Sequence, residues 1–459
     1  MSANPQRKES EKSCDVYDIK DHFKDTRMFG VYGKYIDLGK EPGMVNFGQG
    51  FSDMDVPEFI TDSLKDSLCK NINHQYTRTA GSLPLMKEAA KFYGQYFNRE
   101  IDPTTEIMVS SGATGCFYNF IEACVRAGDE VVTFEPMFAF FIPPLFNAGA
   151  KVNFVELLNQ ISGPTFDKKA FEAAFTPRTK FLMLNSPHNP TGKVFTLEEL
   201  TYIADFLKTK YPDVIVVADD IYCGFVYGGK KHTMIASLPD MWNRTVTLFS
   251  FGKVYNVTGW RIGFAVGPKE LISAMSTVQL YTMFCLPTPL LMAAGDIIKK
   301  SYSEPYGGQE NYLVWLNLKY EQKYHRIKNI IDKSPLNLEV LPAEGGFFFL
   351  ATINKAVAGL PIKYFYKDGE ENTKLKDKDA MLKSFDEWTT IPDPDFSPDF
   401  AYCNFLADKY KIIFYPLSGF FDTMHEAPKN KKCINFIRGT IGKCEKSIDA
   451  LRDRLGVTE

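Results

Sequence analysis

"TVTLFSFGKVYNVTGWRIGFAVGP", residues 245–268, decides how this chain is read. Its first five residues form the β-branched, apolar run of a buried strand, and "GFAVGP" closes the stretch with a second one. Between them a glycine precedes Lys253, and Arg261 follows eight residues later. The same alternation recurs upstream: "EIMVS" (106–110) runs into the amphipathic "GCFYNFIEACVRAG" (115–128), and "EVVTFEP", "KFLMLNSP" and "VIVVADD" are further short apolar runs set between longer stretches. Short strands alternating with helices imply a largely parallel sheet covered by helices, an α/β fold.

Two helices are written plainly. "TLEELTYIADFLKTKY" (196–211) opens with Thr196 and carries Glu199 three residues on, a capping box. "QENYLVWLNLKYEQKYHRIKNIIDKS" (309–334) is long enough to bridge two domains. From about 336 the pattern turns to α+β, with "EVLPAEGGFFFLATI", "KIIFYP" and "CINFIRGTIG". The expected organisation is an N-terminal arm (1–55), a large domain (56–305), a linking helix (306–335) and a small domain (336–459) with a charged surface excursion at about 361–397.

At 459 residues the chain can bury roughly three quarters of its unfolded surface, enough for a deep site. A net charge of −3 gives no electrostatic case for nucleic acid, and no apolar run reaches the roughly 18 residues of a membrane helix. The nine cysteines are dispersed, with neither a CxxC pair nor zinc-ligand spacing, and read as free thiols in a reducing compartment. The first residues mix both charge signs and lack the core of a secretion signal, so a cytoplasmic location is expected. No metal site is expected.

In open α/β sheets ligands collect at the carboxyl ends of strands. Reactive groups fall there four times: Asn185 and Asn189 after "KFLMLNSP", Asp219 and Tyr222 in "VIVVADDIY", Ser250 and Lys253 in "TVTLFSFGK", and a glycine-flanked turn with Ala113 and Thr114 in "SGATG". Alone, a lysine after a strand is surface charge, and an Asp-Asp pair is a helix start or a solvated loop. Together they are rarer. The turn matches neither the dinucleotide nor the P-loop pattern, so a small single phosphate is its expected ligand. A lysine, an enclosed acid and a phosphate turn suit a cofactor that forms an imine and needs a charged ring nitrogen, pyridoxal 5′-phosphate.

"NSPHNPTGKVF", "ADDIY" and "SFGKVYNVTGWRIGFAVGP" resemble the fold-type I, class I and II aminotransferases, and the likeness runs from "VNFGQGF" (45–51) to "IRGTIGK" (437–443). "HQYTRTAG" and "MIASLPDMWNRTVTLFSFGK" are most similar to the branch of kynurenine aminotransferases, glutamine transaminase K and cysteine-S-conjugate β-lyases. The resemblance implies a mostly parallel seven-stranded sheet in the large domain. It makes Lys253 the amine that holds the cofactor and moves the substrate's α-proton, and sets Asp219 against the pyridine nitrogen. Tyr222, Asn189 and Asn185 serve the ring hydroxyl, while Ala113, Thr114, Ser250 and Arg261 hold the phosphate and Phe138 stacks on the ring. Tyr76 reaches the neighbouring subunit's phosphate, implying a homodimer with sites at the subunit interface.

For substrate, the resemblance assigns the α-carboxylate to Arg438, with Gly50 and Asn189 beside it, and lines the pocket with Phe29, Phe138, Phe284 and Phe347. The implied reaction is ping-pong transfer of the amino group of L-kynurenine, other aromatic amino acids, glutamine or methionine to a 2-oxo acid, kynurenine yielding kynurenic acid. A carboxylate left unpaired among phenylalanines would lose several kcal/mol of hydration, which disfavours aspartate. Phe29 stands where mammalian relatives in this branch carry tryptophan, and Cys285 where they carry histidine. A general aromatic or methionine aminotransferase, or a cysteine-S-conjugate β-lyase, therefore stays open as an alternative.

Overall fold

The computed structural model describes residues 27–159, 163–365, 397–421 and 435–458. The short apolar runs become strands: β1 (Ile107–Ser111), β2 (Glu130–Glu135), β3 (Lys151–Glu156), β4 (Thr179–Asn185), β5 (Ile215–Asp219), β6 (Thr245–Ser250) and β7 (Ile262–Val266). They form one sheet in the order β1-β7-β6-β5-β4-β2-β3. All pairings are parallel except those of β7, which is antiparallel to both of its neighbours. The reversal follows from chain length, because residues 251–261 are too few for a parallel crossover, which takes about a dozen residues or more.

β1, at one edge, and the central strands β2, β5, β6 and β7 are buried along nearly their whole length, so they read as largely apolar runs. The edge strand β3, "KVNFVE", has only Val155 fully buried and is correspondingly inconspicuous in the sequence. Helices cover the sheet, among them α1 (Gly112–Cys124) and α2 (Leu197–Lys210), whose Thr196–Glu199 capping box forms in both directions.

A second, antiparallel sheet follows, with β8 (Glu339–Val340), β9 (Phe348–Thr352), β10 (Tyr415–Pro416) and β11 (Phe436–Thr440) in the order β8-β9-β11-β10. Near the start of the described chain, Val45–Asn46 pairs in parallel with Ile412–Ile413. The long helix α3 (Tyr312–Lys333) joins these parts, capped at its start by the Asn311 carboxamide. Asn317 bonds both the N–H and the C=O of Val226 beside the first sheet, and Arg326 pairs with Glu445 and Asp449 of α4 (Glu445–Arg454). Of the expected excursion, residues 366–396 lie outside the described residues, as do residues 1–26 of the expected arm. No described helix is long and apolar enough to cross a membrane.

Candidate active site

The carboxyl ends of β4, β5 and β6 deliver Asn185, Asp219 and Ser250 as the last residues of adjacent strands. Beyond Ser250 the chain makes one helical turn, Phe251–Val254, that presents Lys253. Gly252 is required there, because a Cβ on it would stand 2.8 Å from the Cα of Thr258 in the returning chain. The lysine is thereby held by backbone packing.

Lys253 is half-buried as a residue, but its ammonium is enclosed. Nζ donates to the carbonyl of Gly50 at 2.5 Å and lies 5.6 Å from the centre of the Phe347 ring. Burial first, then the positive charges of Arg438 and Arg261, push its pKa down to about 8, while Asp219 opposes them. An amine so placed is neutral in a useful fraction near physiological pH, the form a nucleophile needs.

Asp219 is 4% exposed, and its Oδ1 has no hydrogen-bond partner among the described residues. Burial, with the neighbouring Asp220 second, raises its pKa to about 7, and Lys253 pulls the other way. Asn185 Nδ2 donates to the Asp219 carbonyl at 2.7 Å, and its Oδ1 accepts the backbone N–H of Asn189 at 2.7 Å. Tyr222 is buried against Phe347, with ring centroids 5.3 Å apart, and burial raises its phenol pKa.

A second cluster sits where β1 enters α1. Gly112 has φ +72°, and a Cβ there would lie 2.5 Å from the Arg261 guanidinium. Gly263 in β7 has no room either, since its Cβ would fall 2.2 Å from the Ala113 nitrogen. These two glycines bring the Arg261 guanidinium against the N-terminus of α1, where Thr114 is exposed and Ala113 half-buried. Arg261 donates to the carbonyls of Thr258 and Ser111 at 3.3 and 3.4 Å. An exposed guanidinium beside a helix N-terminus suits an anion.

Arg438, in β11, is 3% exposed. It donates to Asn189 Oδ1 at 3.1 Å and to the Gly48 carbonyl at 2.5 Å, with the rings of Phe348 and Phe420 centred 4.0 and 4.3 Å from its guanidinium carbon. Both of these acceptors are neutral oxygens, and a carboxylate makes a stronger, charge-assisted contact with a guanidinium. Gly50 lies under Phe348, whose ring a Cβ would meet at 2.6 Å.

Within one chain the fold thus gathers Lys253, Asp219, Tyr222, Asn185, Asn189, Arg438, Gly50 and Phe347, with the Arg261 cluster acting electrostatically on Lys253, while Ser250 is placed by its strand end three residues before Lys253. Phe138 follows β2, half-buried, and packs on Phe140 and Phe141. Two residues are not drawn in. Phe284 is 50% exposed and packs edge-on against Tyr76, itself 83% exposed, at 5.1 Å. Phe29 lies in the helix Arg27–Leu38, and its side chain falls outside those described.

Several contributors carried no sequence signal of their own. Lys443 is buried, donates to the Phe51 carbonyl at 3.2 Å and acts on the charge of Lys253. Phe348 and Phe420, 72 positions apart in the numbering and on different segments, meet at Arg438 only in three dimensions. Asp220 was visible as half of a pair, but its partner His232 was not.

The sequence pattern of the family described as aminotransferase class I and II matches residues 42–386. A kynurenine–oxoglutarate transaminase of Dictyostelium discoideum is 30% identical, over 94% of this chain and 95% of its own. Kynurenine–oxoglutarate transaminase 3 of Mus musculus is 36% identical over 72% and 73% of the two chains. Among solved structures, Bna3p of Saccharomyces cerevisiae, described as a candidate kynurenine aminotransferase, superposes with a TM-score of 0.77 at 25% identity, covering 98% of this chain and 99% of its own. The lysine after the sixth strand, the acid set against it and the family pattern, which spans the whole first sheet, agree, and the chain belongs to the class I and II aminotransferases.

Proposed function

We propose that this aminotransferase takes the amino group of L-kynurenine and passes it to a 2-oxo acid, with pyridoxal 5′-phosphate bound at Lys253. One observation carries the cofactor reading: a buried Asp219 Oδ1 without a hydrogen-bond partner, electrostatically coupled to an enclosed lysine of lowered pKa. An orphaned buried carboxylate oxygen is costly unless a donor arrives, and a protonated pyridine nitrogen is such a donor. The Gly112–Arg261 cradle fits a phosphate in the same way. When bound, the cofactor supplies the electron sink for the substrate's α-carbanion.

The chain's own residues do the rest. Lys253, its ammonium enclosed and its proton affinity lowered, would serve as the base that takes and returns the proton of the substrate's α-carbon. Asp219 holds the ring nitrogen protonated, while Tyr222 and Asn189, positioned by Asn185, bond the ring oxygen. Ala113, Thr114, Ser250 and Arg261 bind phosphate, and Phe138 covers the ring face. Arg438 exchanges the Gly48 carbonyl for the substrate carboxylate, a charge-assisted contact of about 1.5–3 kcal/mol, with Gly50 alongside. Phe347 lines the side-chain pocket.

The reading extends to a cytoplasmic homodimer and to the large and small units divided at about 306–335. Ile72, Tyr76, Tyr281 and Phe284 are 75%, 83%, 82% and 50% exposed, an aromatic surface that a second copy would cover. Tyr76 and Phe284 would then complete the partner's site. The test is kynurenic acid production from L-kynurenine and 2-oxoglutarate by protein reconstituted with pyridoxal phosphate, with phenylalanine and methionine as rival donors and Lys253→Ala as control. A kcat/KM for kynurenine far below both rivals would overturn the substrate, and activity surviving in the variant would overturn the lysine.

A further inference from the structure

Asp219 does not stand alone: Asp220 follows it and is 2% exposed. Its Oδ1 lies 3.5 Å from His232 Nε2, and the two side chains are 3% and 2% exposed. Neither Asp220 Oδ2 nor either His232 ring nitrogen has a hydrogen-bond partner among the described residues. The backbone N–H of Asp220 is fixed to the Leu248 carbonyl of β6 at 3.0 Å. The pair therefore faces away from solvent, with the two side chains set against each other.

Two buried carboxylates on adjacent residues repel strongly. Asp220 is second only to burial in raising the proton affinity of Asp219, and carboxylates coupled in this way lose their protons in separate steps, so that one of the two holds its proton to higher pH. Asp219 also faces Lys253 from the helical turn, with Tyr222 close by and Arg438, Arg261 and Lys443 acting on the lysine. Asp220 faces His232 and, in its own turn, the Cys223 thiol. Among the described residues, His232 is the basic side chain set against Asp220.

We propose that His232 is a positioning residue that supplies the counter-charge of Asp220 and so leaves Asp219 ionised for the cofactor's ring nitrogen. The proposal rests on the cofactor reading above. Without His232, the two carboxylates hold a shared proton to higher pH, and Asp219 loses the charge that binds the ring. Removing Asp220 as well removes the repulsion, so the double change restores what the single change damages. A purely structural role for the pair predicts the reverse, with the double variant at least as impaired.

The test is the dissociation constant of pyridoxal phosphate between pH 6 and 9.5 for wild type, His232→Gln, Asp220→Asn and the double variant. His232→Gln should weaken binding at least about tenfold at pH 7, with the deficit fading towards pH 9.5 as both carboxylates ionise. Asp220→Asn and the double variant should stay within about threefold of wild type. A deficit independent of pH, a double variant no better than His232→Gln, or a tenfold loss in Asp220→Asn alone would overturn the proposal. If His232→Gln is insoluble, a soluble double variant supports the pairing and an insoluble one refutes it. A wild type that binds no pyridoxal phosphate at any pH refutes the cofactor reading instead.

Discussion

Replacing Lys253 by methionine removes an enclosed ammonium while keeping an unbranched side chain, so the cofactor-free protein should become more stable at neutral pH. The lysine pKa falls from 10.5 to about 8, chiefly through burial and secondly through Arg438. At about 1.4 kcal/mol per tenfold change in proton affinity, the buried charge costs up to about 3 kcal/mol. Losing the bond to the Gly50 carbonyl returns about 1 kcal/mol, leaving a net gain of about 2 kcal/mol. Because the folded state binds this proton less tightly than the unfolded chain, the cost is full below about pH 8. It shrinks between 8 and 10.5 and is gone above, where the variant keeps only the loss of its hydrogen bond. Urea denaturation of both cofactor-free proteins at pH 7 and pH 10.5, with unchanged slopes, measures this difference. A variant less stable than wild type at pH 7, or a gain equal at both pH values, would refute the account of an enclosed, electrostatically stressed lysine.

Asp219→Asn should behave as the acidic counterpart. The folded pKa of Asp219 lies near 7, above its ordinary value, so its cost is absent at pH 3 and full above pH 7. The cofactor-free variant should gain roughly 2–4 kcal/mol at pH 8 and nothing at pH 3, while the loaded enzyme loses on the order of 100-fold in kcat. Arg438→Ala should lower kcat/KM about 10- to 200-fold for every amino acid donor, because the contact removed is to the shared α-carboxylate; a loss confined to one donor would contradict that role. Gly263→Ala should destabilise by about 1–3 kcal/mol and weaken phosphate binding, since the new methyl group falls on the Ala113 nitrogen; calorimetry with and without inorganic phosphate separates the effects. Thr196→Ala should cost about 1 kcal/mol in denaturation experiments and leave activity untouched, as the capping box of α2 lies outside the site.

Six of the seven strands of the main sheet could be read from the chain because strands buried on both faces must be apolar throughout, and "VIVVADD" or "TVTLFSFG" could be little else. The seventh, "KVNFVE", was not singled out, because only Val155 of it is fully buried and so little burial needs no apolar run, unlike β1 at the opposite edge. The residues at strand ends were legible for a related reason: a polar residue closing an apolar run marks where the chain leaves the sheet, and Asn185, Asp219 and Ser250 all do so. Helix α2 announced its own start, since capping is a contact between residues three apart.

Everything that depends on distant segments meeting was left to the tertiary structure. The depressed proton affinity of Lys253 comes from burial and from Arg438 and Arg261, and no spacing along the chain encodes such an environment. The clamp of Phe348 and Phe420 on Arg438 and the pairing of Asp220 with His232 belong to the same class. The sequence by itself determined the strands, the helix starts and which reactive groups close the strands, because those follow from local periodicity and hydrogen bonding. Only the packed fold decided which charges are stripped of water and set against one another, because desolvation and Coulomb energy depend on distance through space.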